Sequence, residues 1–566
     1  MEAQLCPIRS GSMSRADTVP PMSASDVRVP ASTAVRPLDR LRWDNRFTDS
    51  LPADPETRNF LRPVHAAYSR VVPTPVDAPA TLAWSPEVAE LLGLSDEVCE
   101  SDDFAAVFAG NRVPHGADPF AMAYGGHQFG NWADQLGDGR AIALGEVLDV
   151  HGDHQTLQLK GAGPTPYSRN ADGRAVLRSS LREFLCSEAM HHLGIPTTRA
   201  LSLVLTGDGV LRDMLYDGHP EVEPGAVVCR VAPSFVRFGT FQLPASRGEA
   251  ELLQSLIDFT IRADYPHLLP EGGEIDGDVV VAWFTEVAER TAELVLGWMR
   301  VGFVHGVLNT DNLSILGLTI DFGPYGWLED FDLGWTPNTT DAGMKRYRYG
   351  AQPAICHWNL LQLANALALL FEDVSGLQAA LQRFVDVYQS RFLEVYAERL
   401  GWGAPAGGDM ERIQALFEAL ASTEIDQVLF FRDLADVPVE PDASDDDLLA
   451  PVSGAFYLPA DVAGDVRAGL VAWLRAWGER VRDGGVRDDV ERTGRMDALN
   501  PRYVLRNYLA QEAIDLVAAG DPSLLHELLD VLRHPYHDQP GKDRFAEKRP
   551  DWARTKVGCS MLSCSS

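Results

Sequence analysis

The sequence lacks the cysteine patterns that mark metal-bound or disulfide-linked proteins. Its 7 cysteines are scattered along the chain, and no two of them form a C-x-x-C pair. This spacing argues against a cysteine-ligated zinc site and against a dense disulfide framework. It is typical of a protein that works in a reducing compartment, where thiols stay reduced.

Long apolar runs are also missing. No run reaches the ~20 apolar residues that span a bilayer, and the N-terminus has no apolar signal-peptide core. Ser and Arg residues near the N-terminus hint at a transit peptide, but Glu2, Asp17 and Asp26 argue against one. We therefore expect a cytoplasmic protein, or a mitochondrial one in a eukaryote, without a membrane partner.

Basic residues are scarce relative to acidic ones. The chain has 49 Lys and Arg residues against 81 Asp and Glu residues, for a formal net charge of -32. Such a surface repels phosphate backbones, so we expect no nucleic acid partner. We attribute the acidic excess to solubility or to adaptation to salt. The remaining composition, 45% hydrophobic and 23% charged, is that of a globular protein.

The most informative stretch runs from Val304 to Gly323 and reads VHGVLNTDNLSILGLTIDFG. It predicts two short apolar strands around a polar loop that carries Asp311 and Asn312, with Asp321 at the end of the second strand. A hairpin-like return would bring two carboxylates and an amide together. Such oxygen ligands suit Mg²⁺, which takes one or two carboxylates plus phosphate oxygens.

The same stretch follows the protein kinase pattern only in part. Against H-R-D-L-x-x-x-N, the residues His305, Leu308 and Asn312 match, whereas Gly306 and Val307 replace the Arg and the catalytic Asp. The metal ligands are therefore retained while the usual kinase base is absent. A carboxylate, Asp311, occurs four residues after Val307 instead.

Glycine-rich and basic segments precede this stretch. Gly137, Gly139 and Arg140 lie in a predicted turn, where backbone N–H groups and a cation could approach a phosphate. An ordinary turn is the alternative. Arg230 and Arg237 bracket the sequence VAPSFV and indicate either an anion site or structural ion pairs.

A predicted strand and the helix after it carry a lysine and a glutamate in the order that kinases use to hold phosphates, with an ordinary surface lysine as the alternative for Lys160. Residues 156–160 alternate apolar and polar as a half-buried strand does, and Lys160 ends this strand. A helix is predicted over 173–193, with an apolar stripe on one face and with Glu183. A strand lysine paired with a helix glutamate is the kinase arrangement.

Further elements follow from periodicity. Strands are predicted over 201–205 and 226–231, with a turn at 207–209, and the chain becomes mainly helical from about residue 250. Helices are predicted over 251–265, 282–300, 357–372 and 376–400. An acidic linker is predicted at 442–447, and a mostly helical stretch is predicted over 455–533.

Several long motifs resemble the selenoprotein O family. They read YGGHQFGNWADQLGDGRA, LQLKGAGPTPYSR, GRAVLRSSLREFL, VHGVLNTDNLSILGLTIDFGP, NPRYVLRNYLAQEAI and a terminal Cys-Ser-Ser. The resemblance runs from about residue 40 to the C-terminus. It implies an α+β, protein-kinase-like bilobal fold with a β-rich N-lobe, a helical C-lobe and a C-terminal extension.

The resemblance also implies boundaries and an activity. We expect a disordered segment at 1–40, an N-lobe with nucleotide-binding elements at 41–250, a helical C-lobe at 251–535 and a tail at 536–566. The implied activity is that of a protein adenylyltransferase, which transfers AMP from ATP to Ser, Thr or Tyr hydroxyls of proteins and releases pyrophosphate. The ATP is bound in a flipped orientation relative to kinases.

The resemblance assigns roles to individual residues. Asp311 is the implied proton acceptor, Asn312 and Asp321 are the implied ligands of Mg²⁺ or Mn²⁺, and Glu183 pairs with Lys160. The implied ATP contacts are Gly137, Gly139, Arg140, Lys160, Asp172, Gly173, Arg230, Arg237 and Asp321. Cys564 occupies the place of the selenocysteine found in some members. Apart from the resemblance, Cys559 and Cys564 are only five residues apart in a tail with little helix or strand signal, so they can form a disulfide with each other, or Cys564 can link to the thiol of another protein. Two reduced cysteines are the alternative.

Two other functions stay open at this point. One is a conventional phosphotransferase that acts on a protein or a small molecule. The other is a pseudokinase scaffold that binds ATP without catalysis, which the missing base at Val307 suggests. The joint presence of Asp311, Asn312 and Asp321 favours catalysis over scaffolding.

Overall fold

A computed structural model describes residues 38–214, 218–484, 488–559 and 561–563. The predicted disordered segment, 1–40, lies outside the described residues except at its end, where Leu38–Arg40 forms a short 3₁₀ helix. Regular structure is therefore present slightly before the predicted start of the N-lobe.

Strands occur mainly in the first half of the described chain. They are β1 Arg42–Trp43, β2 Tyr68–Arg70, β3 Ala80–Trp84, β4 Phe120–Met122, β5 Gly125–Gln128, β6 Asn131–Gln135, β7 Ala141–Leu148, β8 His154–Lys160, β9 Ala175–Val176, β10 Arg199–Arg212, β11 Glu221–Ala232, β12 Phe303–Val304 and β13 Gly326–Trp327.

Helices occupy most of the second half. They are α1 Arg46–Ser50, α2 Pro86–Leu91, α3 Asp96–Cys99, α4 Asp102–Phe108, α5 Leu177–His192, α6 Phe238–Arg247, α7 Ala250–Asp264, α8 Gly277–Val301, α9 Gln352–Leu367, α10 Ser375–Arg399, α11 Asp409–Leu420, α12 Gln427–Asp433, α13 Asp445–Leu449, α14 Gly464–Asp483, α15 Asp489–Asp497, α16 Asn507–Ala518 and α17 Ser523–Leu532. This division confirms the predicted α+β fold with a β-rich N-lobe and a helical C-lobe.

The N-lobe is built on one antiparallel sheet. Its strand order is β2-β4-β7-β8-β11-β10-β3, while β1 pairs with β7 and β9 pairs with β11. The long strands β7, β10 and β11 are rich in apolar residues, which suits strands that are covered on both sides. Lys160, at the end of β8, pairs in register with Ala141 of β7 and Val228 of β11.

Both faces of this sheet are buried, so the prediction of a half-buried strand at 156–160 was wrong. Leu157 and Leu159 pack into the core that contains α4, and Gln158 and Lys160 on the other face are buried as well. The reason is that α5 covers this second face and packs against β10 and β11. Alternation in the sequence shows which residues share a face, but it does not show whether a helix covers that face.

The helix that carries Glu183 begins later than predicted, at Leu177 rather than at residue 173. Ala175 and Val176 form β9 instead, which pairs with Gly225 and Ala226 of β11. The predicted apolar stripe of this helix, including Leu181, lies in the main core as expected.

Helix α8 is a long helix of the C-lobe, and the chain runs from its end through β12 into the polar loop. The side chain of Asp276 caps its start by accepting a hydrogen bond from Val279 N at 3.0 Å, and Gly302 ends it with φ of 78°. Such a left-handed residue at a helix end favours glycine. The helix packs along α10, and β12 follows directly after Gly302.

The predicted hairpin around the polar loop was wrong. β12 pairs with β13, and not with the residues just before Asp321. Thr319 forms only a single bridge, with Thr197. His305 makes the connection instead, because its Nε2 lies 2.9 Å from Ile320 O.

Two smaller segments also differ from their predictions. Residues 207–209 do not form a turn between strands but an irregularity within β10, which continues to Arg212. The acidic linker at 442–447 contains the start of α13, because Ser444 and Asp447 form a capping box there.

The C-terminal tail packs onto the folded chain as far as it is described. Cys559 is a buried free thiol, and Thr339 N donates to Leu562 O. Cys564 lies outside the described residues, so its pairing with Cys559 stays a prediction. Over the described ranges, no helix is both long and apolar enough to cross a bilayer.

Candidate active site

A cleft of about 540 Å³ is lined by most of the residues that the sequence singled out. Its walls come from the turn before β7, the end of β8, strand β11 and the polar loop. The predicted residues that line it are Gly137, Gly139, Arg140, Lys160, Arg230, Arg237, Asp311, Asn312 and Asp321. Residues distant in the sequence therefore meet at one site, as the implied nucleotide site requires.

Asp172 and Gly173 are not among the lining residues. Arg212 Nη2 donates to the Asp172 carboxylate at 2.7 Å, and Gly173 packs against Gly163 with φ of 69°. The neighbouring loop 169–171 does line the cleft. These two residues therefore shape that loop rather than the cleft wall itself.

Lys160 and Glu183 form a buried ion pair between the sheet and α5. Lys160 Nζ donates to Glu183 Oε2 at 2.5 Å, and the other carboxylate oxygen lies 3.4 Å from Arg230 Nη1. Burial lowers the pKa of Lys160 despite the opposing effect of Glu183. Glu183 itself lies behind the cleft, where it orients two cations.

The Asp321 carboxylate lies between two buried arginines. Arg230 Nη1 donates to one of its oxygens at 2.6 Å, and Arg237 donates to the other. Burial opposes ionisation, but Arg237, Arg230 and Lys160 together hold the pKa of Asp321 well below its usual range. Asp321 adopts φ of 56°, a conformation uncommon for a residue other than glycine and often found at functional sites.

Each arginine also has a second anchor. Arg230 Nη2 donates to Gln158 Oε1 at 2.5 Å, and Arg237 Nη1 donates to Asp311 O at 2.9 Å. Gln158 Nε2 donates in turn to Asp138 at 3.3 Å, and Asp138 lies 3.8 Å from Arg237. The contacts close a ring, so the arginines stay in place even if Asp321 takes another partner.

Asp311 lines the cleft, and one of its carboxylate oxygens has no partner among the described residues. It lies in the 3₁₀ helix Thr310–Asn312, and its Oδ1 is buried without a hydrogen-bond partner among the described residues. Burial raises the pKa of Asp311 to about 7. A buried carboxylate oxygen with no partner is costly, which points to a ligand or a substrate group there.

The β5–β6 hairpin closes over this carboxylate. A Cβ added at Gly126 would lie 2.5 Å from Asp311 Oδ1, so only glycine leaves room for the carboxylate. His127 N donates to Thr310 Oγ1 at 2.7 Å, and Phe129 N donates to Asn309 Oδ1 at 3.3 Å. The hairpin is thus fastened to the two residues that directly precede Asp311.

Asn312 and Asp321 fit a divalent cation by the chemistry of their donors. Asn312 Nδ2 donates to Val307 O at 2.9 Å, which leaves the amide oxygen for a cation. Both residues line the same cleft, and 22% of the Asp321 side chain is exposed. Oxygen donors of this kind suit Mg²⁺.

Three other side chains that could bind a metal ion together have a structural role instead. Glu87, Glu188 and His192 bring possible ligand atoms within 4.8 Å of one another. Arg199 donates to both carboxylate oxygens of Glu188, and Arg533 lies 2.8 Å from Glu87. The arginines already balance these carboxylates, so we assign the cluster to the packing of α5.

Sequence reasoning missed three residues of the site. Gln158 lies on the same face of β8 as Lys160, two residues away. The alternation of the strand could therefore have identified Gln158 as a candidate site residue. Asp138 lies between the two glycines of the predicted turn, but its burial comes from the sheet. No sequence signal places Gly126 against Asp311, because that contact joins segments 185 residues apart.

Comparison with known proteins gives a consistent result. The family model described as "Protein adenylyltransferase SelO" matches residues 57–533. A "Protein nucleotidyltransferase YdiU" of Rhodopirellula baltica is 58% identical over 538 residues, which cover 93% of this chain and 99% of the relative. Proteins of the same name from Aromatoleum aromaticum and Xanthomonas campestris are each 57% identical, covering 94% of this chain and 100% of each relative.

The ring of contacts predicts a role for Gln158 in ATP binding. Gln158→Ala should raise the dissociation constant for a non-hydrolysable ATP analogue by about tenfold, because a hydrogen bond to a charged group contributes about 1.5–3 kcal/mol. Calorimetric titration measures this. Gln155→Ala is the matched control, since Gln155 is a buried glutamine of the same strand that donates to Asp149. Equal affinities for both variants would remove Gln158 from the site.

Proposed function

Because this chain belongs to the SelO family of protein adenylyltransferases, we propose that its cleft transfers AMP from ATP to Ser, Thr or Tyr hydroxyls of proteins. The observation that carries the proposal is the Asp311 carboxylate, which has an unpaired oxygen and lines the same cleft as Lys160, Arg230 and Arg237. Pyrophosphate is the leaving product.

The cationic wall would bind the triphosphate. Lys160, Arg140, Arg230 and Arg237 line one side of the cleft, and transfer of this kind depends mostly on positioning and on neutralising charge. Gly137 and Gly139 would let the backbone approach the phosphates. Asp172 and Gly173 would act on the nucleotide through the adjoining loop 169–171.

Asn312 and Asp321 would hold a divalent cation, Mg²⁺ or Mn²⁺. When bound, the cation supplies positive charge to the phosphates at the reacting centre. Asp321 would then exchange arginine partners for the cation. The second anchors of Arg230 and Arg237 support this exchange, because both arginines keep a hydrogen-bond partner.

Asp311 would orient the acceptor hydroxyl and accept its proton. The hydroxyl oxygen forms a bond to the α-phosphorus, the bond from that phosphorus to the bridging oxygen breaks, and the electron pair leaves with pyrophosphate. Val307, which lines the cleft at the kinase base position, cannot accept a proton. This favours attack at a different phosphorus from the one that kinases use.

The location and partners follow from simpler features. The described cysteines that pair in no disulfide, including Cys186 and Cys229, support a reducing compartment such as the cytoplasm. The acidic charge balance disfavours a nucleic acid partner.

Separate labels on ATP test the reaction. We expect that α-³²P from ATP enters protein and that γ-³²P does not. Asp321→Ala should abolish the labelling through loss of the cation, and Asp311→Asn should lower it by about a hundredfold or more while ATP still binds, as expected for loss of a general base. Asp461→Asn, at an exposed position, is the control.

The contrary outcomes are distinct. Labelling by γ-³²P alone would favour a phosphotransferase, and no labelling from either position with Mg²⁺ or Mn²⁺ would favour an ATP-binding scaffold.

The close approach of Gly126 to Asp311 gives a second prediction. Gly126→Ala should lower transfer at least as strongly as loss of the Asp311 carboxylate, because the added methyl group would displace that side chain. Binding of the ATP analogue should persist. Gly407→Ala is the control, since a Cβ there meets nothing within 4 Å. Full transfer activity in Gly126→Ala would show that the hairpin does not lie against Asp311.

A further inference from the structure

A basic and aromatic surface lies beside the residues that hold Asp311. The Tyr347 hydroxyl donates to Asn309 Oδ1 at 2.7 Å, and His127 N donates to Thr310 Oγ1 at 2.7 Å. The segments that carry Tyr347 and His127 are therefore fastened to the loop within two residues of Asp311. Both segments therefore lie next to the loop that carries Asp311.

Aromatic rings form the floor of this surface. The His127 ring lies 5.1 Å from the Trp132 ring and 5.4 Å from the Trp358 ring. Trp132 is 37% exposed although it is a large apolar residue. The Arg346 guanidinium stacks over Trp358 at 4.6 Å, within cation–π range. The rings thus hold one cation in a fixed orientation.

Arg346 and its sequence neighbours Lys345 and Arg348 have no carboxylate partner. These three residues form no ion pair anywhere in the part of the chain that the structure describes. Two exposed arginines of the helical lobe differ, because Arg383 pairs with Glu289 and Arg391 pairs with Glu293. In a chain with a net charge of -32, a cluster of unpaired cations is unexpected.

Arg346 in particular lacks partners for its polar atoms. Its Nε and Nη2 are buried without a hydrogen-bond partner among the described residues. The backbone around it is fixed, because Asp341 accepts hydrogen bonds from Arg346 N at 3.0 Å and from Tyr347 N at 2.7 Å. No carboxylate of the described chain balances the charge of Arg346, and a carboxylate from outside the chain would balance it.

We propose that this basic–aromatic surface, formed by His127, Trp132, Lys345, Arg346, Arg348 and Trp358, binds an acidic segment of the protein substrate. The segment lies next to the acceptor hydroxyl that reaches Asp311. The proposal rests on the adenylyltransferase function and adds a preference for acceptors that are flanked by Asp or Glu.

The surface is distinct from the triphosphate site. None of its three cations is among the residues that line the cleft, whereas Lys160, Arg230 and Arg237 are. A carboxylate on the substrate therefore does not compete with ATP for the same cations. Charge complementarity at the basic–aromatic surface would act mainly on the association rate and the specificity for the substrate. The effect should weaken as the salt concentration rises.

Two synthetic peptides of equal length test the proposal. Each carries one Ser, one Thr and one Tyr, flanked by glutamates in one peptide and by glutamines in the other. The assay measures α-³²P transfer from ATP at low and at physiological salt. Wild-type enzyme is compared with the triple variant Lys345→Gln, Arg346→Gln, Arg348→Gln.

Two further variants serve as controls. The double variant Lys345→Gln, Arg348→Gln leaves the stacked Arg346 in place, in case its replacement disturbs folding. The variant Arg467→Gln, Arg475→Gln, Arg495→Gln removes the same charge from the helical lobe, where these arginines pair with Asp446, Asp445 and Glu491. Melting temperature and affinity for the ATP analogue are measured for every variant.

For wild-type enzyme we expect kcat/KM for the glutamate peptide to exceed that for the glutamine peptide by about fivefold or more, as for a few exposed ion pairs. Salt should reduce this ratio. The triple variant should lose it, the double variant should lose part of it, and the control variant should keep it. Affinity for the ATP analogue should be the same in all of them.

Equal rates with both peptides, or transfer to the enzyme itself but to neither peptide, would overturn the docking surface and leave the proposed function standing. A weaker affinity for the ATP analogue in the triple variant would assign the cations to the nucleotide instead. Absence of α-³²P transfer to any protein would contradict the proposed function itself.

Discussion

The pairing of Asp321 with Arg230 and Arg237 is the interaction on which the site depends. Both arginines are almost fully buried, at 2% and 1% exposure, and a buried charge without a partner is strongly destabilising. Asp321 supplies the balancing charge, and it comes from a different segment of the chain than either arginine. The contact therefore joins β11, the start of α6 and the loop after Ile320. Because Gln158, Asp138 and the Asp311 carbonyl add second contacts, the geometry does not rest on Asp321 alone.

In the proposed function, this arrangement would couple the binding of a metal cation to the binding of the triphosphate. The triphosphate would bring negative charge toward arginines that Asp321 already engages, so phosphates and carboxylate would compete for the same donors. A metal cation would give Asp321 another partner and lower the repulsion. The buried ion pair with Glu183 holds the Lys160 ammonium group, a third side-chain cation beside the two arginines, at the cleft. Asp311 joins this ring only through its backbone carbonyl, which leaves its carboxylate for the proposed acceptor hydroxyl.

Much of the fold and of the site follows from the sequence, since the order of glycine turn, strand lysine, helix glutamate and polar loop reads directly from spacing. The rest depends on tertiary contacts. Helix α5 starts at Leu177 because Ala175 and Val176 pair with β11 and so belong to the sheet. The predicted hairpin fails because β12 pairs with β13, and His305 joins the two halves of the loop. Gln158 and Asp138 are polar residues whose role appears only once α5 covers the sheet.

The metal dependence of nucleotide binding tests this account most directly. A non-hydrolysable ATP analogue is titrated calorimetrically into wild-type protein and into Asp321→Asn, with a chelator or with Mg²⁺, after thermal melting shows that both are folded. With the chelator, the variant should bind more tightly, because its arginines are free of the carboxylate. With Mg²⁺, the wild-type protein should bind more tightly. The same gain in affinity from Mg²⁺ in both proteins would contradict the assignment of Asp321 as the residue that moves between arginine and cation.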